Sequence, residues 1–381
     1  MSEQFPPSRE PGDGDDEERP DPLSQLFGGQ LPPELRESMR AMGLDKMDPA
    51  MLQMVQAQVQ AMMTGGTEAD GPLNVTLATD TARRVVAEGG DPSVPDKTRQ
   101  DVESVVQVAS LWLDEVTDLA PPEGPVRALS RAEWVEQTMP VWRRLTEPVA
   151  AGVSAAMTRA MEEQLGALGE GGPAAAAIPG LPPGMDPSAL LGQMEPMMRR
   201  MSSAMFGGQV GQAVGTLAGE TVSGTEVGLP LLPGETVALL PHNVAEFADG
   251  LGLEAGEVHL YLAVREAARV RLFAGVPWLG PQLLTAVEDY ARDITFNTAG
   301  IEEAMRTLDP QDPQAMQEAL SGSLFSPEPS AAQRSAVNRL ETYLALVEGW
   351  VDLVSERAAA PHLPSTGALA EAVRRRRATG G

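Results

Sequence analysis

The stretch from Glu257 to Leu279, EVHLYLAVREAARVRLFAGVPWL, puts the tightest limit on what this chain can fold into. Its spacing predicts one long helix, over about 257–275, that stops before Pro277. At 3.6 residues per turn, Val258, Leu262, Arg265, Arg269 and Leu272 share one face. Leu260, Ala263, Ala267 and Val270 lie on the other. A helix that is apolar nearly all round is a buried helix. Two arginines one turn apart on it then need carboxylate partners, because an unpaired buried charge is very costly. A second long helix is predicted from Ala331 to Ala359, and on it Glu348 and Asp352 stand one turn apart, able to address one point. The competing arrangement has both arginines reaching out to solvent and making ordinary surface pairs.

Two short patterns sit inside these helices. Arg265-Glu266-Ala267-Ala268-Arg269 has the spacing of H-E-x-x-H with both histidines replaced, and Glu348-Gly349-Trp350-Val351-Asp352 fits E-x-x-x-D. With the stretches NVTLATDTARRVVAEGGDPSV, SRAEWVEQTMPVW, GTEVGLPLLP, LVEGWVDLV and RRRRATGG, the chain from about Leu73 onward resembles an actinobacterial zincin-like family of hydrolases and zinc-dependent metalloproteases. The resemblance implies a mainly α, zincin-like helical fold with a small β element near residues 226–240. In the intact family pattern, histidines at the positions of Arg265 and Arg269 bind zinc. A glutamate at the position of Glu348 is the third ligand, the residue at Glu266 is the general base, and Asp352 supports the site. Family members run on beyond RRRRATGG, so the resemblance also implies a C-terminal segment past Gly381.

This sequence departs from that pattern where zinc needs it most. Zinc takes neutral imidazoles, and arginine stays protonated with no lone pair to give. No metal and no other cofactor is therefore expected. The expectation is substitution of the cation: Arg265 and Arg269 put fixed charge where an ion would sit, and Glu348, Asp352 and Glu266 pair with them. His242, His259 and His362 are scattered along the chain, which gives little prospect of a rebuilt metal site. The function expected is that of a catalytically inactive zincin-like protein acting as a binding or structural module. Two alternatives stay open: a zinc-dependent hydrolase with a relocated metal site, and a partner scaffold working through a Met-rich helix.

The remaining chain sets the organisation. Residues 1–32 read as a disordered acidic, proline-rich tail, and 33–71 as a Met-rich helical segment and linker. Residues 72–165 read as a helical N-terminal part, with a capping box opening at Ser130 and a bend or break at Pro140. Residues 166–186 are a Gly/Pro/Ala linker, and 187–381 the zincin-like part. Gly207, Gly211, Gly215 and Gly219 recur every fourth residue, a smooth stripe suited to close helix packing. Proline and glycine at 233–234 suggest a small hairpin or edge strand, 297–330 a loop or lid, and the arginines at 374–377 a solvated helix end. A net charge of -26 argues against nucleic acid and anionic membranes, leaving an unidentified protein as the possible partner. The absence of cysteine and of any apolar leader or membrane-length run fits a cytoplasmic protein.

Overall fold

Capping signals set the helix ends. The Asn74 side chain accepts the Leu77 amide at 2.9 Å and opens α1 (Val75–Glu88), which Gly89 closes. Helix α2 (Asp96–Asp114) starts after Pro95 and leads to strand β1 (Val126–Ala128). Ser130 and Glu133 form the expected capping box, at 3.2 and 2.8 Å, at the head of α3 (Arg131–Gly169). Then come α4 (Pro187–Glu220), β2 (Val237–Leu239), α5 (Pro241–Asp249), α6 (Ala255–Gly275), α7 (Leu279–Arg292), α8 (Ala331–Ala359) and α9 (Thr366–Thr379). A second capping box, Ser330 with Gln333, starts α8. The fold is mainly α. This computed structural model describes residues 71–169, 187–292 and 329–379, and the expectations for 1–70, 170–186 and 297–328 lie outside them.

Three expectations change. Of the bend or break expected at Pro140, the break does not occur: helix α3 runs through it and through Pro148. Met139 and Leu145, buried on either side, hold that segment against the core and outweigh one missing N–H. The small β element expected near 226–240 is present as β2, but no hairpin forms within that stretch. Instead β2 pairs in parallel with β1, Val126 opposite Val237 and Ala128 opposite Leu239. On the other edge of β2, Ser223 makes an antiparallel bridge to Leu239, with Leu240 N donating to Val222 O and Gly224 N to Ala238 O, both at 2.9 Å. The arginine run at 374–377 is not simply a solvated end, as described below.

The glycine stripe brings two backbones into contact. A Cβ added at Gly207 would lie 2.5 Å from Asn74 O, at Gly211 2.4 Å from Ala78 O, and at Gly215 2.8 Å from Ala82 O. Both helices advance together, so α4 packs parallel to α1. Gly219 faces open space.

Helix α6 is the axis of the molecule. Tyr261 through Leu272 is buried without a break, and α6 touches α2, α5, α8, α9 and β2. Val264, Ala267, Ala268 and Val270 pack with Val102, Val106 and Leu113 of α2, and with Val354 and Ala358 of α8. Val258, Tyr261 and Leu262 pack with Val244 of α5 and with Leu369 and Val373 of α9. Each fully buried Val or Leu contributes about 1.5–3 kcal/mol, so α6 is held by its whole circumference. Among the described residues no helix is long and apolar enough to cross a membrane.

Candidate functional site

Burial on every side forces each charged group of α6 to find a partner inside the protein. Arg265 is 4% exposed, Arg269 2% and Glu266 0%. Helix α8 brings Glu348 and Asp352 to both arginines. Arg265 donates through Nη1 to Asp352 Oδ1 at 2.5 Å and through Nη2 to Glu348 Oε2 at 3.0 Å. Arg269 donates to Glu348 Oε1 through Nε at 3.1 Å and Nη2 at 3.0 Å. One carboxylate thus bridges two guanidinium groups, a contact suited to the planar arginine fork. Burial works against the charge on Arg265, but Asp352 and Glu348 outweigh it and raise its pKa. Burial also opposes ionisation of Asp352, while the Arg265 charge and hydrogen bonds from Arg265 and Arg377 hold its carboxyl below the usual range.

Glu266 shares Arg269 with Glu348 and finds its other partners in a socket of its own. Its Oε2 accepts from Ser223 Oγ and Thr225 Oγ1, both at 2.7 Å, and from Thr225 N at 3.3 Å, with Arg269 Nη1 at 3.5 Å. The edge segment paired to β2 carries Ser223, so the strand places those donors. Among the described residues Oε1 has no hydrogen-bond partner, and it is closed in by Gly224, where an added Cβ would come within 2.9 Å of it. Burial pushes the Glu266 carboxyl up, against the pull of Arg269 and the hydroxyls.

The C-terminal helix closes the cluster from outside. Arg377 bonds Glu348 Oε2 and, at 2.8 Å, Asp352 Oδ2. Arg374 pairs with Glu356. Arg376 lies 5.2 Å above the Phe247 ring and 3.7 Å from Glu226. Arg374 and Arg375 keep the exposed character expected of the whole run, at 46% and 71% exposure, and Arg375 pairs with Glu371 at 3.7 Å. With Val373 and Arg377 as a roof over Ser223, Leu262, Arg265 and Arg269, the space left is a cavity of about 10 Å³. That is about the room one water needs.

These residues do not fit a zinc ion. The two positions that would ligate it carry guanidinium groups, which repel a dication, and both oxygens of Glu348 already accept from arginines. Among the described residues no group of three His, Cys, Asp or Glu side chains is placed to hold a metal. The histidines lie elsewhere: His242 contacts Glu246 at 3.2 Å, His259 contacts Ala255 O at 3.1 Å, and His362 stacks on Trp112 with centroids 4.4 Å apart.

Two further buried arginines escaped the sequence reading. Arg271, fully buried, donates to Asp114 Oδ1 at 2.8 Å, Ser110 O at 2.9 Å and Leu119 O at 3.2 Å, so it caps the C-terminal end of α2. Arg131 donates to Asn243 Oδ1 at 2.6 Å, Gly90 O at 2.8 Å and Glu246 Oε2 at 2.6 Å. Asn243 passes the link on to Ala218 O and Thr221 O, tying α1, α3, α4 and α5 at one end. Arg271 carried the same signal as Arg265, a cation on an apolar face one turn from Ala267. Arg131 carried none, since it was hidden inside a capping sequence.

No curated protein matches the chain. A crystal structure from Chloroflexus aurantiacus, described as a candidate hydrolase with a novel fold, is similar at a TM-score of 0.50 and 18% identity. The likeness covers 80% of this chain and 75% of that one, and at this identity it speaks for the fold alone. The family pattern of the zincin-like metallopeptidases matches residues 73–381, which takes in α6, α8 and the arginine cluster between them. By that match the chain belongs to the zincin-like metallopeptidase family.

Proposed function

We propose that this chain is a catalytically inactive zincin-like protein in which fixed guanidinium charge has taken the place of a bound ion, leaving the fold to serve as a cytoplasmic binding or structural module. The observation that carries the reading is Glu348, which accepts three hydrogen bonds from Arg265 and Arg269. The family's chemistry needs a metal-bound water beside a general base. Here Glu266, at the base position, is sealed among two hydroxyls and the Arg269 guanidinium, and the neighbouring cavity is too small for a peptide. Arginine is a sound structural substitute, because its charge does not titrate and its fork meets two carboxylates at once. Such a cluster fixes the register of α6 against α8 more than it adds net stability.

The test is elemental analysis of protein purified without added metal, paired with a peptide-hydrolysis assay with and without chelator. Substoichiometric zinc and no chelator-sensitive hydrolysis are expected. A stoichiometric, tightly held transition metal would overturn the proposal. A gain-of-binding arm sharpens it: Arg265→His with Arg269→His and Arg377→Ala rebuilds two imidazoles beside a released Glu348. That variant should take up zinc and gain about 2.7 kcal/mol at a hundredfold excess over Kd.

A further inference from the structure

Helix α8 has a second face with no role in the cluster or the core. Val347, Val351 and Val354 face inward. On the outer side Glu341, Ala345, Gly349, Leu353 and Arg357 follow one another at four-residue spacing, and all five are exposed. Leu346 flanks this ridge at 53% exposure, and Leu353 stands at 50%. Trp278, 55% exposed, meets Tyr343 edge-on at 6.2 Å, and Tyr343 lies one turn from Leu346. Nothing lies within 4 Å of a Cβ added at Gly349. Glu341 and Arg357 have no ion-pair partner among the described residues.

The order of residues along the ridge is self-complementary under one operation. Glu341 and Arg357 stand eight residues on either side of Gly349, and Ala345 and Leu353 four residues on either side. We infer that the outer face of α8 is the contact between two copies of this chain, crossing antiparallel about a two-fold axis at Gly349. In that pairing Gly349 meets Gly349, so the backbones can approach closely. Each Leu353 covers the partner's small Ala345, and each Glu341 meets the partner's Arg357. A parallel pairing would set Glu341 on Glu341 and Arg357 on Arg357, which like-charge repulsion disfavours. A two-fold contact of this kind is isologous, the commonest form of association between identical chains. Between four and five helical turns from each copy, touching along a single crossing ridge, bury an area at the low end for protein contacts, below about 1,200 Å² in total, so the dimer is a weak one.

Sedimentation velocity on the full chain across a concentration series tests this. Wild type should pass from monomer to dimer with a Kd on the order of 10 μM, in keeping with a small contact. Gly349→Arg projects into open space in the monomer, so folding should be intact while self-association weakens roughly tenfold or more. Leu353→Gln gives a second reading should Gly349→Arg disturb the fold. Glu341→Arg alone should weaken the dimer about fivefold, and adding Arg357→Glu should restore it to within about twofold, because the charges are exchanged rather than lost. A chain that stays monomeric to about 200 μM, well above the range expected of a contact this small, overturns the inference. So does a dimer indifferent to Gly349→Arg, or a charge exchange that fails to restore association. The inference stands apart from the inactive-enzyme reading, since none of the substituted residues touches the arginine cluster.

Discussion

Glu348→Gln is the most searching perturbation of the cluster. The carboxylate accepts three hydrogen bonds from two arginines that are 4% and 2% exposed, together with one from Arg377. Glutamine keeps one acceptor oxygen and turns an amide donor toward guanidinium groups that are donors themselves. Arg269 would be left with Glu266 Oε2 at 3.5 Å as its carboxylate contact. Removing one partner of a buried ion pair costs about 3–5 kcal/mol. The Glu348 side chain is 18% exposed and water relieves part of the loss, which points to about 3 kcal/mol, the low end of that range. Urea unfolding at neutral pH measures this as a fall in the midpoint at constant slope. Glu288→Gln, at a 3.7 Å pair with Arg144 on the surface, is the control and should cost under about 1 kcal/mol. Combining Glu348→Leu with Arg269→Met should cost less than the two single changes added together, by about 1 kcal/mol or more, since the pair leaves together. A loss under about 1 kcal/mol for Glu348→Gln would mean that the guanidinium groups are hydrated, and the argument for a sealed ionic cluster would fail.

Other expectations follow from the same geometry. Gly211→Ala drives a methyl to 2.4 Å from Ala78 O and should cost about 2–3 kcal/mol, whereas Gly208→Ala, in open space on the same helix, should gain about 0.5–1 kcal/mol; paired thermal melts decide. Arg271→Met should cost about 3 kcal/mol because Asp114 and two carbonyls lose their buried donor, while Asp114→Asn, at a half-exposed carboxylate, should cost about 1 kcal/mol; urea midpoints compare the two. The two shifted carboxyls act on pH stability in opposite senses. Asp352 is depressed, so its contribution is present above its ordinary 3.8 and is lost as pH falls through the folded value. Glu266 is raised, so the folded state holds its proton longer and stability falls as pH climbs from 4.5 toward the folded value. Urea midpoints against pH should lose the acid-side slope in Asp352→Asn and the second slope in Glu266→Gln; unchanged profiles would contradict the assignment.

The meeting of Arg265 and Arg269 with Glu348 and Asp352 could be read from the chain because helical spacing is rigid. Two charges one turn apart on an apolar helix have few places to go, and two carboxylates one turn apart on another amphipathic helix answer them. Arg377 was not read, although a signal existed: Leu369 and Val373 mark an inward face of α9, and Arg377 is one turn beyond Val373. A run of four arginines hides this, because composition suggests solvent while periodicity assigns each residue its own direction. The socket of Glu266 was beyond reach, since Ser223 and Thr225 reach it through a strand segment too short to show alternation. For the same reason β1 was invisible, and β2, expected as a small hairpin or edge strand, pairs in parallel with the distant β1 as well as with the nearby Ser223 segment.

The ties that hold α6 have a kinetic consequence. Arg271 reaches Asp114 across 157 residues, Arg265 reaches Asp352 across 87, and Glu266 reaches Ser223 across 43. The chain must therefore close several long loops before any of these bonds can form, and loop-closure entropy comes first. Local helices will appear early, yet the last step to the native state should be slow and concerted, limited by topology.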